Sequence, residues 1–153
     1  EIAEILRRSA KIIGVKIAGD AEQEIAKRSR FTPRTANYFL KRARDFAQVE
    51  GKPLNQDTVR SALKLLGIDE LGLSPSDRRL LETIADKFNG GPVGLSTLAA
   101  ALSEEEATIE EFNEPYLLQL GLIERTTRGR ALTSHGYKHL GKTPPASLQK
   151  KLL

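Results

Sequence analysis

The sequence predicts a mainly α-helical chain: four short helices, then a second helical unit that carries one small β-hairpin. Three observations lead there. Apolar residues recur at three- and four-residue steps along most of the 153 residues, the spacing of one helix face. A hydroxyl residue followed by proline stands at Thr32-Pro33 and again at Ser74-Pro75. The hydroxyl can cap a helix, and proline at its first position lacks only a donor the helix would not use. Finally, two β-type runs, residues 122–126 and 130–133, flank the turn Thr127-Arg128-Gly129.

Taken in order, residues 1–13 place Ile2, Ile5, Leu6, Ile12 and Ile13 at helical steps. Asp20 with Gln23 has the spacing of a capping box, opening a second helix that carries Ile25 and Ala26. The third runs from Pro33 to about residue 49, with Ala36, Leu40, Ala43 and Ala47 on one face and Gly51 as its exit. Asn55 caps a fourth, which Gly67 stops. After Ser74-Pro75 a fifth helix buries Leu80, Leu81, Ile84 and Ala85. Asn89-Gly90-Gly91-Pro92 breaks it, and residues 93–95 are long enough for a stub of strand. Short helices follow at about 96–102 and 107–120, the latter kinked by Pro115. Beyond the hairpin a last helix carries Tyr137, His139 and Leu140. Helix, stub, helix, helix, hairpin, helix is the order of a winged helix, so the boundaries expected are 1–70, 71–143 and a tail, 144–153.

Composition narrows the function classes. No apolar run approaches the 18 or so residues of a membrane span, and no basic-then-apolar leader opens the chain. Zero cysteine removes disulfides and thiolate metal sites, and fits a reducing, cytoplasmic setting. Net charge is +4, but its placement says more. Between Phe88 and Glu124 there is no Lys or Arg, while seven glutamates fall there. In most winged helices the third helix enters the major groove. Here that helix and its lead-in hold Glu104, Glu105, Glu106, Glu110, Glu111 and Glu114, which a phosphate backbone would repel. The basic face of this unit is therefore the turn, with Arg125, Arg128 and Arg130 around Gly129 and Thr126.

Two weaker constellations remain. Arg34 lies in the first turn of the third helix, where free N–H groups and the helix dipole favour an anion; a phosphate contact and a solvated charge both fit. His135 and His139 are four apart, but no third ligand stands near in sequence, so no metal site is expected.

The blocks "TPRTANYFLKRARDFAQVEG" (32–51), "GIDELGLSPSDRRLLETIADKFNGGPVGLSTLAAAL" (67–102), "EPYLLQLGLIERTTRGRALT" (114–133) and "HLGKTPP" (139–145) resemble the C-terminal part of the RuvB family. These are bacterial AAA+ motors that drive Holliday-junction branch migration. The resemblance implies an AAA+ lid subdomain followed by a winged-helix head. It implies that Arg34 is the sensor 2 arginine, reaching the phosphates of ATP or ADP bound with magnesium. It also implies that Arg125 and Arg130 hold the DNA backbone, with Arg128 assisting. Expected partners are double-stranded DNA and Holliday junctions without sequence preference, RuvA, and further copies in a homohexamer.

Two features depart from that pattern. Phe31 stands where many relatives have glycine before "TPR", and phenylalanine resists positive φ. Glu106 stands where some relatives place a DNA-contacting arginine. The sequence holds no G-x-x-x-x-G-K-[ST] phosphate loop and no strand ending in paired acids. It therefore reads as a portion of the motor that binds no nucleotide stably and does not hydrolyse ATP by itself, with the RuvA contact in the large subdomain. A stand-alone winged-helix regulator and a protein-interaction module are the competing readings.

Overall fold

In the computed structural model residues 1–149 are described; the end of the expected tail, residues 150–153, lies outside them. The chain divides into two compact units, Glu1–Pro75 and Ser76–Leu153.

The first unit packs α1 (Ile2–Ile13), α2 (Gly19–Arg28), α3 (Pro33–Glu50) and α4 (Gln56–Leu65) around one core. Leu6, Ile25, Leu40, Val59 and Leu63 are its fully buried side chains, joined by Phe39 and a run of alanines that lets α3 approach its neighbours closely. The α3 start forms as the sequence predicts: the Thr32 hydroxyl accepts from the Thr35 N–H at 3.3 Å. Asn55 caps α4 in the same way, accepting from Thr58 N–H at 3.0 Å. The capping box at Asp20 does not form. Helix α2 begins two residues earlier, at Gly19 with Ala18 as its cap, and Asp20 serves as a first-turn charge favoured by the dipole.

The second unit opens with α5 (Pro75–Lys87) and α6 (Leu95–Leu102). The expected third helix is three pieces in one continuous run: α7 (Glu106–Thr108), a π-helical turn (Ile109–Asn113) and α8 (Glu114–Gln119). Pro115 explains the π turn. It has no N–H for the carbonyl four residues back and its ring crowds that carbonyl, so the backbone widens just ahead of it. The widening also turns both Asn113 and Glu114 inward, at 1% exposure each. Asn113 donates to Asp77 Oδ1 at 2.8 Å and to Ser76 Oγ at 3.2 Å, fixing the start of α5. Asn113→Leu should lower the stability of this unit by about 1–3 kcal/mol, because the buried Asp77 carboxylate loses a donor. Denaturant unfolding followed by tyrosine fluorescence checks it, since Tyr116 and Tyr137 are buried here.

The hairpin pairs β1 (Ile123–Thr126) with β2 (Gly129–Leu132), antiparallel, with Arg125 opposite Arg130 and Thr126 opposite Gly129. The connection is thus two residues, Thr127-Arg128, and Gly129 belongs to the strand. On the other edge of β2, Val93 and Arg130 exchange backbone hydrogen bonds of 2.9 and 2.8 Å, so the expected stub is real. Helix α9 (Ser134–His139) follows, capped by Thr133. Its Gly136 has low intrinsic helix propensity, as any glycine does, but is required by packing: a Cβ there would collide with Leu122 O and the Leu132 side chain. A last turn, α10 (Ala146–Gln149), lies in the tail.

Candidate nucleic-acid and nucleotide contacts

The wing is built around a buried carboxylate. Arg125 and Arg130 are directly opposite on one face of the hairpin, an arrangement that like charges destabilise. Glu114, projecting from the first turn of α8, resolves the repulsion. Its Oε2 accepts from Arg125 Nη2 at 2.6 Å, and its Oε1 accepts from Arg130 Nε. Arg130 Nη2 reaches Oε2 at 3.5 Å and lies 3.7 Å from Glu110 Oε1. Burial alone would raise the Glu114 pKa, but hydrogen bonds and charge from Arg130 and Arg125 outweigh it and hold the carboxyl below its ordinary value.

That arrangement separates the three arginines. The Arg130 side chain is 13% exposed, clamped by Glu114 with Glu110 nearby. Arg125 is 55% exposed and held through one terminal nitrogen. Arg128 stands at the exposed tip, and its side chain has no ion-pair partner among the described residues. Thr126 closes the turn, its hydroxyl accepting from Arg128 N–H at 3.2 Å and donating to Gly129 O at 3.0 Å. Gly129 has φ 132°, and a Cβ there would strike the backbone of Val93 and Gly94. Its lack of a side chain admits the stub strand against β2 as well as shaping the turn.

Beside the wing, Glu104, Glu105, Glu106, Glu110 and Glu111 are all exposed. Glu114 is the exception, and it is the one residue of this site that sequence reasoning placed wrongly, as part of the acidic surface. The available signal was its neighbourhood: Ile109, Asn113, Tyr116 and Leu117 are the buried positions around it.

In the first unit, Arg34 is in the first turn of α3, exposed, with no ion pair among the described residues. The loop before it is strained: Arg30 and Phe31 both have φ 58°, left-handed in two successive non-glycine residues. Phe31 therefore adopts the conformation it was expected to resist. Ser29 O closes the turn by accepting from Thr32 N–H at 3.1 Å and from its hydroxyl at 3.3 Å, and Phe31 is 58% exposed. An unneutralised guanidinium at a helix start fits a nucleotide phosphate. Among the described residues no three His, Cys, Asp or Glu side chains cluster as metal ligands. No helix among them is long and apolar enough to cross a membrane.

A four-helix unit with an arginine at its third helix start, followed by a winged helix with a basic wing, defines an AAA+ lid subdomain joined to a winged-helix domain. The RuvB AAA lid domain matches residues 1–69, and the RuvB C-terminal winged helix domain matches residues 70–141. The chain belongs to the RuvB family. It is similar to the Holliday junction branch migration complex subunit RuvB of Chloroflexus aurantiacus, 54% identical over 145 residues, 94% of this chain and 41% of that one. The Rubrobacter xylanophilus subunit of the same name is 51% identical over 142 residues, covering 92% and 40%. Among solved structures, the Thermotoga maritima RuvB Holliday junction branch migration motor superposes with a TM-score of 0.92 at 46% identity, covering 95% of this chain and 49% of that one. The chain thus spans about two-fifths of the curated relatives and about half of the solved motor.

Proposed function

We propose that this chain is the lid and head portion of an ATP-dependent double-stranded-DNA translocase that drives Holliday-junction branch migration in recombination and repair. The observation that carries the reading is the wing: a basic hairpin beside a helix whose exposed face is acidic. Such a domain holds the phosphate backbone and does not read bases, since phosphate contacts carry no sequence information. A motor that moves along any sequence needs that property. Arg128 and the outward part of Arg125 make the grip, Thr126 and Gly129 shape it, and Arg130 anchors it.

In the lid, Arg34 would hold the phosphates of bound ATP or ADP; hydrolysis of ATP to ADP and phosphate, with magnesium, would supply the driving force in the assembled motor. Arg34 itself donates hydrogen bonds and positive charge, so its part is to sense the phosphate. RuvA, further copies of the chain in a hexamer, and a cytoplasmic location complete the proposal. The acidic exposed helix weighs against a sequence-specific regulator.

Salt dependence of duplex binding tests the reading. Arg128→Ala should weaken binding equally across sequences and make the slope of log affinity on log salt shallower by about 0.9, one phosphate contact. Unchanged slope and affinity, or a sharp consensus from binding-site selection, would remove the wing grip.

A further inference from the structure

We propose that Glu114 is an internal competitor for phosphate: the buried carboxylate occupies Arg125 in the free protein and yields it to the DNA backbone, while keeping Arg130. The inference rests on the wing grip proposed above. It assigns Glu114 as a positioning and tempering residue, one that acts on DNA through two arginines and never touches it.

The asymmetry of the contacts carries the argument. A carboxylate and a phosphate offer a guanidinium the same chemistry, a pair of anionic oxygens. Arg130 is held by its Nε on one oxygen of Glu114, with Nη2 near the other and Glu110 adjacent, and is nearly enclosed. Arg125 has one contact, Nη2 to Oε2 at 2.6 Å, and more than half of its side chain is in solvent. Exchange of that single contact for a phosphate oxygen leaves Glu114 still paired with Arg130, so no charge is stranded in the interior. Exchange of Arg130 would uncover the carboxylate and abandon the second clamp. Arg125 is therefore the exchangeable arginine. Its release costs a charge-assisted hydrogen bond, so each DNA contact made through it is weaker than a free arginine would make. For a protein that must let go after every step, that weakening is useful.

Glu114→Gln tests the competition with nearly unchanged shape. The amide has one acceptor oxygen, and its nitrogen repels the guanidinium donors. Arg130, enclosed beside Glu110, retains the oxygen, and Arg125 is freed. Binding of a short mixed-sequence duplex to the whole chain should tighten roughly fivefold to tenfold near 0.1 M salt, with the salt slope nearly unchanged, because Arg125 reaches a phosphate in both proteins and only the cost of its release differs. Glu114→Gln/Arg125→Gln should lose that gain. Unchanged or weaker binding by a folded Glu114→Gln protein, its amide spectrum otherwise preserved, overturns the proposal.

The unsubstituted protein gives a second reading that does not depend on the variant folding. In guanidinium ¹⁵N spectra, adding duplex should shift the Arg125 resonances and leave Arg130 Nε in place. Duplex binding that depends on Arg128 while Arg125 stays silent, or while Arg130 moves, overturns this inference and leaves the wing grip standing. Absence of any duplex binding overturns both.

Discussion

Gly129→Ala should lower the stability of the winged-helix unit by about 3 kcal/mol and part Val93 from β2. The backbone at Gly129 has φ 132°, outside the regions open to L side chains, which costs about 1–2 kcal/mol by itself. An added Cβ would also overlap Val93 O and C, and lie 2.8 Å from Gly94 N. These are backbone atoms, so no rotamer change relieves the clash. Yielding breaks the reciprocal Val93–Arg130 pair, each bond contributing about 1 kcal/mol net. Denaturant midpoints give the loss, and faster amide exchange at Arg130 locates it. Gly94→Ala is the control, because its Cβ meets nothing within 4 Å. Equal effects at the two positions would mean that the stub strand does not brace the wing.

The contrast between these glycines shows which features a sequence displays. Local chemistry was readable: Thr32-Pro33 and Asn55 cap helices as their side chains dictate, and the hairpin follows from two β-type runs around a turn. Arg125, Arg128 and Arg130 were visible as a basic cluster for the same reason. Features set by distant partners were not. Gly129 and Gly136 read as turn former and helix weakener because Val93 and Leu122, which crowd them, lie far off or on another element. Glu114 looked like one more surface acid because its burial depends on a π turn, which Pro115 provokes but helical periodicity cannot register. Consequently the division of labour between Arg125 and Arg130 was also hidden. Phe31 shows the opposite failure: propensity argued against positive φ, and the Ser29–Thr32 turn imposed it.

Glu24→Ala should cost the first unit about 3–5 kcal/mol, the range for removing one partner of a buried ion pair. Glu24 is 3% exposed on α2 and ties three groups together: Arg28, Gln56 Nε2 at 3.1 Å, and Arg60 Nε at 3.4 Å. Through Gln56 and Arg60 it joins α2 to α4. Arg28 suffers most from the loss, because its side chain is 8% exposed, its Nε has no partner among the described residues, and its Nη1 makes one long bond of 3.4 Å to Asp69 O. Removing the carboxylate would leave that charge enclosed and uncompensated. The same site makes stability depend on pH. Burial raises the Glu24 pKa, but hydrogen bonds from Gln56, Arg28 and Arg60 prevail and hold it below the ordinary 4.5. A carboxyl with a lower pKa folded than unfolded contributes stability in full above the unfolded value, and loses it as pH falls through the folded one. The stability gap between the parent chain and Glu24→Ala should therefore be widest above pH 4.5 and narrow steadily in acid. Amide exchange resolved by unit makes the measurement specific, because Glu114 gives the second unit its own acid sensitivity of the same sign. A gap independent of pH would mean that Glu24 stabilises the bundle by packing, with its charge contributing nothing.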